Sequence, residues 1–296
     1  MITVLGSTNL DLIGTVSRIP KPGETVPGGD FSMAAGGKGA NQSLAARRAG
    51  AEVRMFCAAG TDSFAADALR LLKADGVDLS RLKTVAGPTG IAMIFVDAAG
   101  ENVIAILPGA NGAMGPAEAA AALDGLGEGN IVLLQQEIPQ AATALALELA
   151  QAQGVTSILN TAPFLPTTPE LARKASIVIA NETEFALLCG GKTEPLDALM
   201  VDWARTHRQT VIVTLGPDGA RAATPAGSFS VPALKVDPVD TVGAGDTFCG
   251  YLAAGLDAGL ELEPAMRRAA VAASLACLKP GAQPAIPHAA EVDGKV

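Results

Sequence analysis

The stretch DTVGAGDTFCG, residues 240–250, sets Asp240 and Asp246 on either side of small residues and then runs into an apolar segment of helical character. If a helix starts near Asp246, the N–H groups of Gly243, Ala244 and Gly245 converge with its N-terminus on one point. Unpaired amides and the helix dipole favour negative charge there. This suits a phosphoryl group gaining charge in a transition state, and a side chain larger than methyl would crowd it. Asp246 stands where it can accept a proton from an attacking hydroxyl. Taken alone, the segment is better accounted for by Asp246 merely capping the helix.

A second glycine run, AAGGKGANQ (34–42), also turns into a helix and carries Lys38 and Asn41 on the first turn. It is not a Walker loop, because Ser32 stands where the first glycine is required and Gly39 follows Lys38. Its glycines let backbone approach a small polar ligand, with Asn41 placed to hydrogen-bond it; turn-and-cap chemistry is the alternative. The segment after the first strand reads VLGSTNLD and lacks G-x-G-x-x-G, which argues against a dinucleotide-dependent oxidoreductase. The only histidines, His207 and His288, sit in neither a glycine-rich nor a carboxylate-rich setting, so a general base is expected to be a carboxylate. Cys57, Cys189, Cys249 and Cys277 are scattered without a C-x-x-C pair, against zinc or a disulfide framework, and read as buried free thiols of a reducing compartment.

These residues need a scaffold. With 296 residues, 49% hydrophobic and 17% charged, the chain can bury a large core. A net charge of −9 and a pI near 4.8 leave no basic face for nucleic acid. No stretch approaches the ~20 apolar residues of a membrane span, and a cytoplasmic protein is expected. Short β-branched runs (ITVLG, VRMFCAAG, NIVLLQ, TSILN, SIVIAN, TVIVTLG) alternate with Ala/Leu-rich helical runs, the signature of a mostly parallel sheet flanked by helices. Ligands of such sheets gather at the strands' carboxyl ends, here Asn160, Asn181 and Thr214–Gly216. Residues 12–34 and the two-strand pattern GIAMIFVDAAGENVIAILPGAN break the rhythm and suggest a small separate β-sheet, or else an irregular edge of the core. The final HAAEVDGKV is expected to fray.

Eight motifs in one order carry a resemblance: GSTNLD (6–11), PGETV (22–26), GGKGANQ (36–42), GENVIAILPGAN (100–111), NETE (181–184), TLGPDG (214–219), DTVGAGDTF (240–248) and KPGAQPA (279–285). Together they resemble the ribokinase (PfkB-type) family of carbohydrate kinases over essentially the whole chain. The resemblance implies one ribokinase-like α/β domain over residues 1–296, with β lid segments near 10–35 and 88–107 that pair two subunits into a homodimer. It implies transfer of the ATP γ-phosphoryl group to a primary sugar hydroxyl, with Asp246 as general base and Gly243, Ala244 and Gly245 as anion hole.

By the same resemblance, Asn9, Asp11, Gly37, Lys38, Gly39, Asn41 and Glu137 hold the sugar. Asn181, Thr214, Leu215, Gly216, Asp218, Gly219, Gly245 and Ala270 line ATP. Glu184 organises Mg²⁺ through water. Asp240, with carbonyls at Val242, Ala276, Lys279 and Gly281 and a water or carbonyl at Ala285, holds an activating K⁺. Ala285 stands where ribokinases commonly carry serine, and Ala270 where a polar side chain often meets adenine. The motifs resemble ribokinases more than sugar-phosphate kinases, which implies D-ribose first, then deoxyribose, another pentose or a nucleoside. A non-catalytic sugar-binding regulator is the rival from another class.

Overall fold

In the computed structural model, which describes residues 1–296, the β-branched runs form strands and the Ala/Leu-rich runs form helices. The strands are β1 (Ile2–Leu5), β2 (Asn9–Val16), β3 (Gly28–Gly36), β4 (Val53–Phe56), β5 (Ala58–Ala59), β6 (Lys83–Thr84), β7 (Gly90–Val96), β8 (Asn102–Leu107), β9 (Ile131–Leu134), β10 (Thr156–Asn160), β11 (Ile177–Asn181), β12 (Thr210–Thr214), β13 (Ala220–Thr224) and β14 (Gly227–Val231). Eight of them make the main sheet, in the order β14-β13-β12-β11-β10-β9-β1-β4. Pairing is parallel from β4 to β12 and antiparallel only along β12, β13 and β14.

Both faces of this sheet are buried, which is why its strands read as continuous apolar runs. Successive residues of β9 feed opposite cores: Ile131 and Leu133 join one cluster, Val132 and Leu134 the other. The first cluster takes Leu44, Phe248 and Ala269 from helices Lys38–Arg48, Ala244–Asp257 and Leu262–Ala276. The second takes Leu147 and Trp203 from helices Gln140–Gln153 and Leu196–His207. Fully burying a leucine such as Leu44 stabilises the fold by roughly 2–3 kcal/mol.

The contact that matters most for the site is between the helices that start at Lys38 and Ala244. A Cβ at Gly250 would meet the Ala45 Cβ and the Gln42 carbonyl oxygen at 2.5 Å and the Ala46 nitrogen at 2.7 Å. Glycine therefore lets the two backbones approach closely and brings the glycine-rich starts of both helices together.

The segments that broke the βαβ rhythm form a separate sheet, in the order β3-β2-β7-β8. β2 runs parallel to β7, and both outer pairs are antiparallel. Gly100, at φ 83°, turns β7 into β8. β2 is buried from Asn9 to Asp11 and then half-buried from Leu12 to Gly14, with Thr15 exposed and Val16 buried again, so the small sheet is less covered away from the main body.

Two expectations are corrected. Residues 288–296 do not fray throughout: helix Ala289–Asp293 forms there, the His288 N–H donates to Glu291 Oε2 at 2.8 Å, and Val292 is completely buried. One apolar side chain and one capping carboxylate suffice to dock the turn. Cys57 and Cys249 are buried as expected, whereas Cys189 and Cys277 are only partly so; all four are free thiols. No helix is long and apolar enough to cross a membrane.

Candidate active site

Helix Ala244–Asp257 starts two residues earlier than Asp246, and this decides what Asp246 does. Gly243 is the N-cap, at φ 78°, and a Cβ there would sit 2.9 Å from Ala282 Cα, so both backbone and packing require glycine. Asp246 is the third helical residue and makes no cap. Its buried carboxylate is instead gripped by two amides of the neighbouring helix: Asn41 Nδ2 donates to Oδ2 at 2.8 Å and Gln42 Nε2 to Oδ1 at 2.9 Å. A hydrogen bond to a charged group contributes about 1.5–3 kcal/mol, so the carboxylate is held in one orientation. The Ala244 N–H donates to the Thr241 carbonyl at 3.3 Å, the Gly245 amide has no partner in the helix, and the space beyond Gly245 is open.

Around Asp246 lies a polar pocket at the carboxyl ends of β1, β9 and β10. Glu137 Oε2 accepts from Ser7 Oγ at 2.6 Å and from the Lys38 N–H at 3.0 Å. Asn9 Oδ1 accepts from Asn111 Nδ2 at 2.7 Å, while Asn111 Oδ1 accepts from the Thr8 N–H at 3.0 Å. The glycine loop fits closely over this floor. A Cβ on Gly37, at φ 88°, would lie 2.7 Å from the Asn9 nitrogen, one on Gly39 would lie 2.6 Å from the Ser7 nitrogen, and one on Gly36 would overlap the Asp11 carboxylate. Asn9, Asp11, Gly37, Lys38, Gly39, Asn41, Glu137 and Asp246 thus lie close together in the fold.

The pocket is electrostatically tense. Burial, and then the charges of Glu137 and Asp246, push the Asp11 carboxyl from its ordinary 3.8 up to about 7, with Lys38 pulling the other way. The Lys38 ammonium is held above its ordinary value, first by Asp246 and then by Glu137 and Glu184, against the opposing effect of burial. Cys249, buried behind Asp246, is raised well above the usual thiol range, first by burial and then by that carboxylate, so it stays a neutral thiol.

On the other side of the helix start lies a cleft of about 630 Å³. Thr214, Gly216, Asp218, Gly219, Gly245 and Ala270 all line it, beside Phe248 and Val236. Asn181 and Leu215, expected with them, lie outside the lining. Asn181 is instead the cap of helix Glu182–Leu188: its Oδ1 accepts from the Glu184 N–H at 2.8 Å, and Glu184 Oε2 accepts from the Asn181 N–H at 3.1 Å. N-x-x-E is therefore a capping box here, with Thr161 Oγ1 adding a 2.7 Å bond to the same Oε2. The other Glu184 oxygen stays outside this arrangement.

The segment after β14 is closed by Asp240, whose Oδ1 accepts from the Val242 N–H at 2.9 Å and Oδ2 from the Gly281 N–H at 2.8 Å. The Ala276 carbonyl accepts from the Lys279 N–H at 3.5 Å, and Ala285 is buried on the short helix Ala282–Ala285. No three His, Cys, Asp or Glu side chains are grouped to hold a metal ion by themselves. A cation at this loop therefore depends on carbonyls, and one near Glu184 on ligand oxygens.

The family model for pfkB family carbohydrate kinases matches residues 1–289. The chain belongs to this family. Among the kinase's relatives, ribokinase of Schizosaccharomyces pombe is 36% identical over 307 residues, covering 99% of this chain and 96% of the relative. Deoxyribokinase of Salmonella typhi is 33% identical over 294 residues, covering 97% and 95%. Of solved structures, ribokinase from Thermotoga maritima superposes with a TM-score of 0.89 at 30% identity, covering 99% of this chain and 98% of that one. Arabidopsis thaliana ribokinase, solved with ribose and ATP, gives 0.87 at 30%, covering 99% and 97%. The kinase therefore has the ribokinase-like fold, with its main sheet and small second sheet.

Sequence reasoning missed Gln42, Asn111 and Ser7 as members of the pocket. Gln42 and Ser7 lie within quoted motifs, and Asn111 ends the motif GENVIAILPGAN. A polar residue beside a glycine turn was the available signal, but its partners lie as far as 204 residues along the chain.

Proposed function

We propose that this kinase transfers the γ-phosphoryl group of ATP to the primary hydroxyl of D-ribose, giving ribose 5-phosphate and ADP. The observation that carries the reading is the adjacency of Gly245 and Asp246. One lines the open cleft and the next is a buried, oriented carboxylate, both on the first turn of one helix. The sugar oxygen forms a bond to the γ-phosphorus, the bond from that phosphorus to the ADP oxygen breaks, and the hydroxyl proton passes to Asp246. The amides of Gly243, Ala244 and Gly245 stabilise the charge that grows on the phosphoryl oxygens.

Asn9, Asp11, Lys38, Asn41 and Glu137 bind and orient the sugar, and the cleft over Thr214, Gly216, Asp218, Gly219 and Ala270 takes the nucleotide. Asn41 is suited to this, because its Oδ1 is buried without a partner while its amide nitrogen holds the base. Mg²⁺ supplies charge neutralisation to the phosphates when bound. The Glu184 oxygen left free by the capping box fits a water-mediated hold on it. K⁺ fits the Asp240–Gly281 loop as a carbonyl-bound ion that would stiffen the segment before Gly243.

The small sheet serves as a lid that excludes water and as a dimer surface. Four of its exposed apolar side chains share one face, Met33 and Met93 flanking Leu12 and Phe31 and Phe95 flanking Gly14, while exposed Ile104 and Ile106 pair with Ile94 and Ala92 on the other. Phe31 is 67% exposed, a costly state for an unpartnered ring. Incubation with ATP, Mg²⁺, K⁺ and a panel of pentoses, deoxyribose and nucleosides tests the reading. ADP release that depends on ribose supports it; preference for deoxyribose or a nucleoside reassigns the substrate; release indifferent to any of them overturns it.

A further inference from the structure

We propose that Gln42 is a positioning residue for the base, the middle of a buried amide relay that fixes the direction of the Asp246 carboxylate from the main sheet. The proposal rests on the reading of Asp246 as base. Gln42 is completely buried, and every polar group of its side chain is engaged inside the protein. Nε2 gives one hydrogen to Asp246 Oδ1 at 2.9 Å and the other to Asn160 Oδ1 at 3.2 Å, while Oε1 accepts from Gln135 Nε2 at 2.7 Å. Asn160 is itself oriented, donating to the Ile179 carbonyl at 3.3 Å. Gln135 follows β9, Asn160 ends β10 and Ile179 lies in β11, so three neighbouring strands of the sheet set the rotation of one side chain on a helix start.

Asn41 and Gln42, adjacent in sequence, have different capacities. Asn41 keeps a buried, unpartnered Oδ1, whereas Gln42 has both amide hydrogens and its oxygen engaged within the protein and is completely buried, out of a ligand's reach. Losing Gln42 should leave both substrates bound and the base free to rotate. Misplacing a reacting group by about 1 Å costs on the order of 100-fold in rate.

The test uses the full chain and begins with sugar-dependent ADP release by the unaltered protein, whose absence would be a failure of the functional reading and not of this one. Gln42→Met keeps the length of the side chain and removes its hydrogen bonds. We expect kcat to fall roughly 10- to 100-fold with KM for sugar and ATP within about 3-fold. In an Asp246→Asn background the same substitution should cost less than about 2-fold, because a residue that acts through the base has nothing left to position. If Gln42→Met does not fold, Gln42→Glu, of nearly the same shape and unable to donate to Asp246 when ionised, is judged by the same two comparisons. Unchanged kcat, a rise in KM matching the fall in kcat, or an undiminished loss in the Asp246→Asn background would overturn the proposal.

Discussion

Asp11 offers a test in which stability and function move in opposite directions. Its carboxyl is raised from 3.8 to about 7, chiefly by burial and secondly by the charges of Glu137 and Asp246. Between those pH values the folded chain keeps a proton that the unfolded chain has released, so stability falls as pH rises from about 4 to about 7. Above pH 7 the penalty is complete. At about 1.36 kcal/mol per pH unit the gap amounts to roughly 4 kcal/mol, and relaxation of the pocket brings the expected cost to about 2–4 kcal/mol. Asp11→Asn removes the ionisable group with almost no change of shape. Without ligands, the variant should be more stable than the parent by about 2–4 kcal/mol at pH 8, or ~3–6 °C in Tm for a chain of this size. The advantage should shrink towards zero near pH 4.5. The same variant should bind ribose more weakly, because a carboxylate proposed to accept sugar hydroxyls has been lost. Chemical denaturation at the two pH values, followed by KM for ribose, reads both effects. A gain independent of pH, or no gain at pH 8, would refute the electrostatic account of this pocket.

Gly245→Ala should leave stability unchanged or improve it by up to ~1 kcal/mol, since no protein atom lies in the way, while kcat falls at least ~10-fold as the new methyl enters the proposed anion hole; melting curves and ADP release check the pair. Gly250→Ala should destabilise the fold by about 1–3 kcal/mol in denaturant titration, because its Cβ would press on the Lys38 helix. Phe31→Lys combined with Met93→Lys should convert a dimer to monomer in sedimentation equilibrium. A parent that is already monomeric would remove the proposed role of the lid face.

Much of the architecture was legible because burial on both faces of a parallel sheet leaves apolar runs such as IVLL at 131–134, and because Gly37, Gly39 and Gly243 mark close backbone approaches that tolerate no side chain. What stayed hidden depends on three-dimensional partners. Gln42 reads as an unremarkable helical residue until Gln135, Asn160 and Asp246 arrive around it. N-x-x-E at 181–184 carries two meanings, and only the geometry shows that one Glu184 oxygen is committed to a cap. The last residues looked polar enough to fray, yet Val292 alone finds a place in the core. Asp246 illustrates the limit in reverse: its type and setting allowed either cap or base, and the helix boundary at Ala244 removed the cap.

The most direct measurement is turnover and sugar binding in Asp246→Asn. Asparagine keeps the size of the side chain but cannot take the hydroxyl proton, and a general base contributes typically 10²- to 10⁴-fold. The account predicts a loss of kcat of about that size, with ribose affinity by calorimetry within a few-fold of the parent. Turnover close to that of the parent would contradict it.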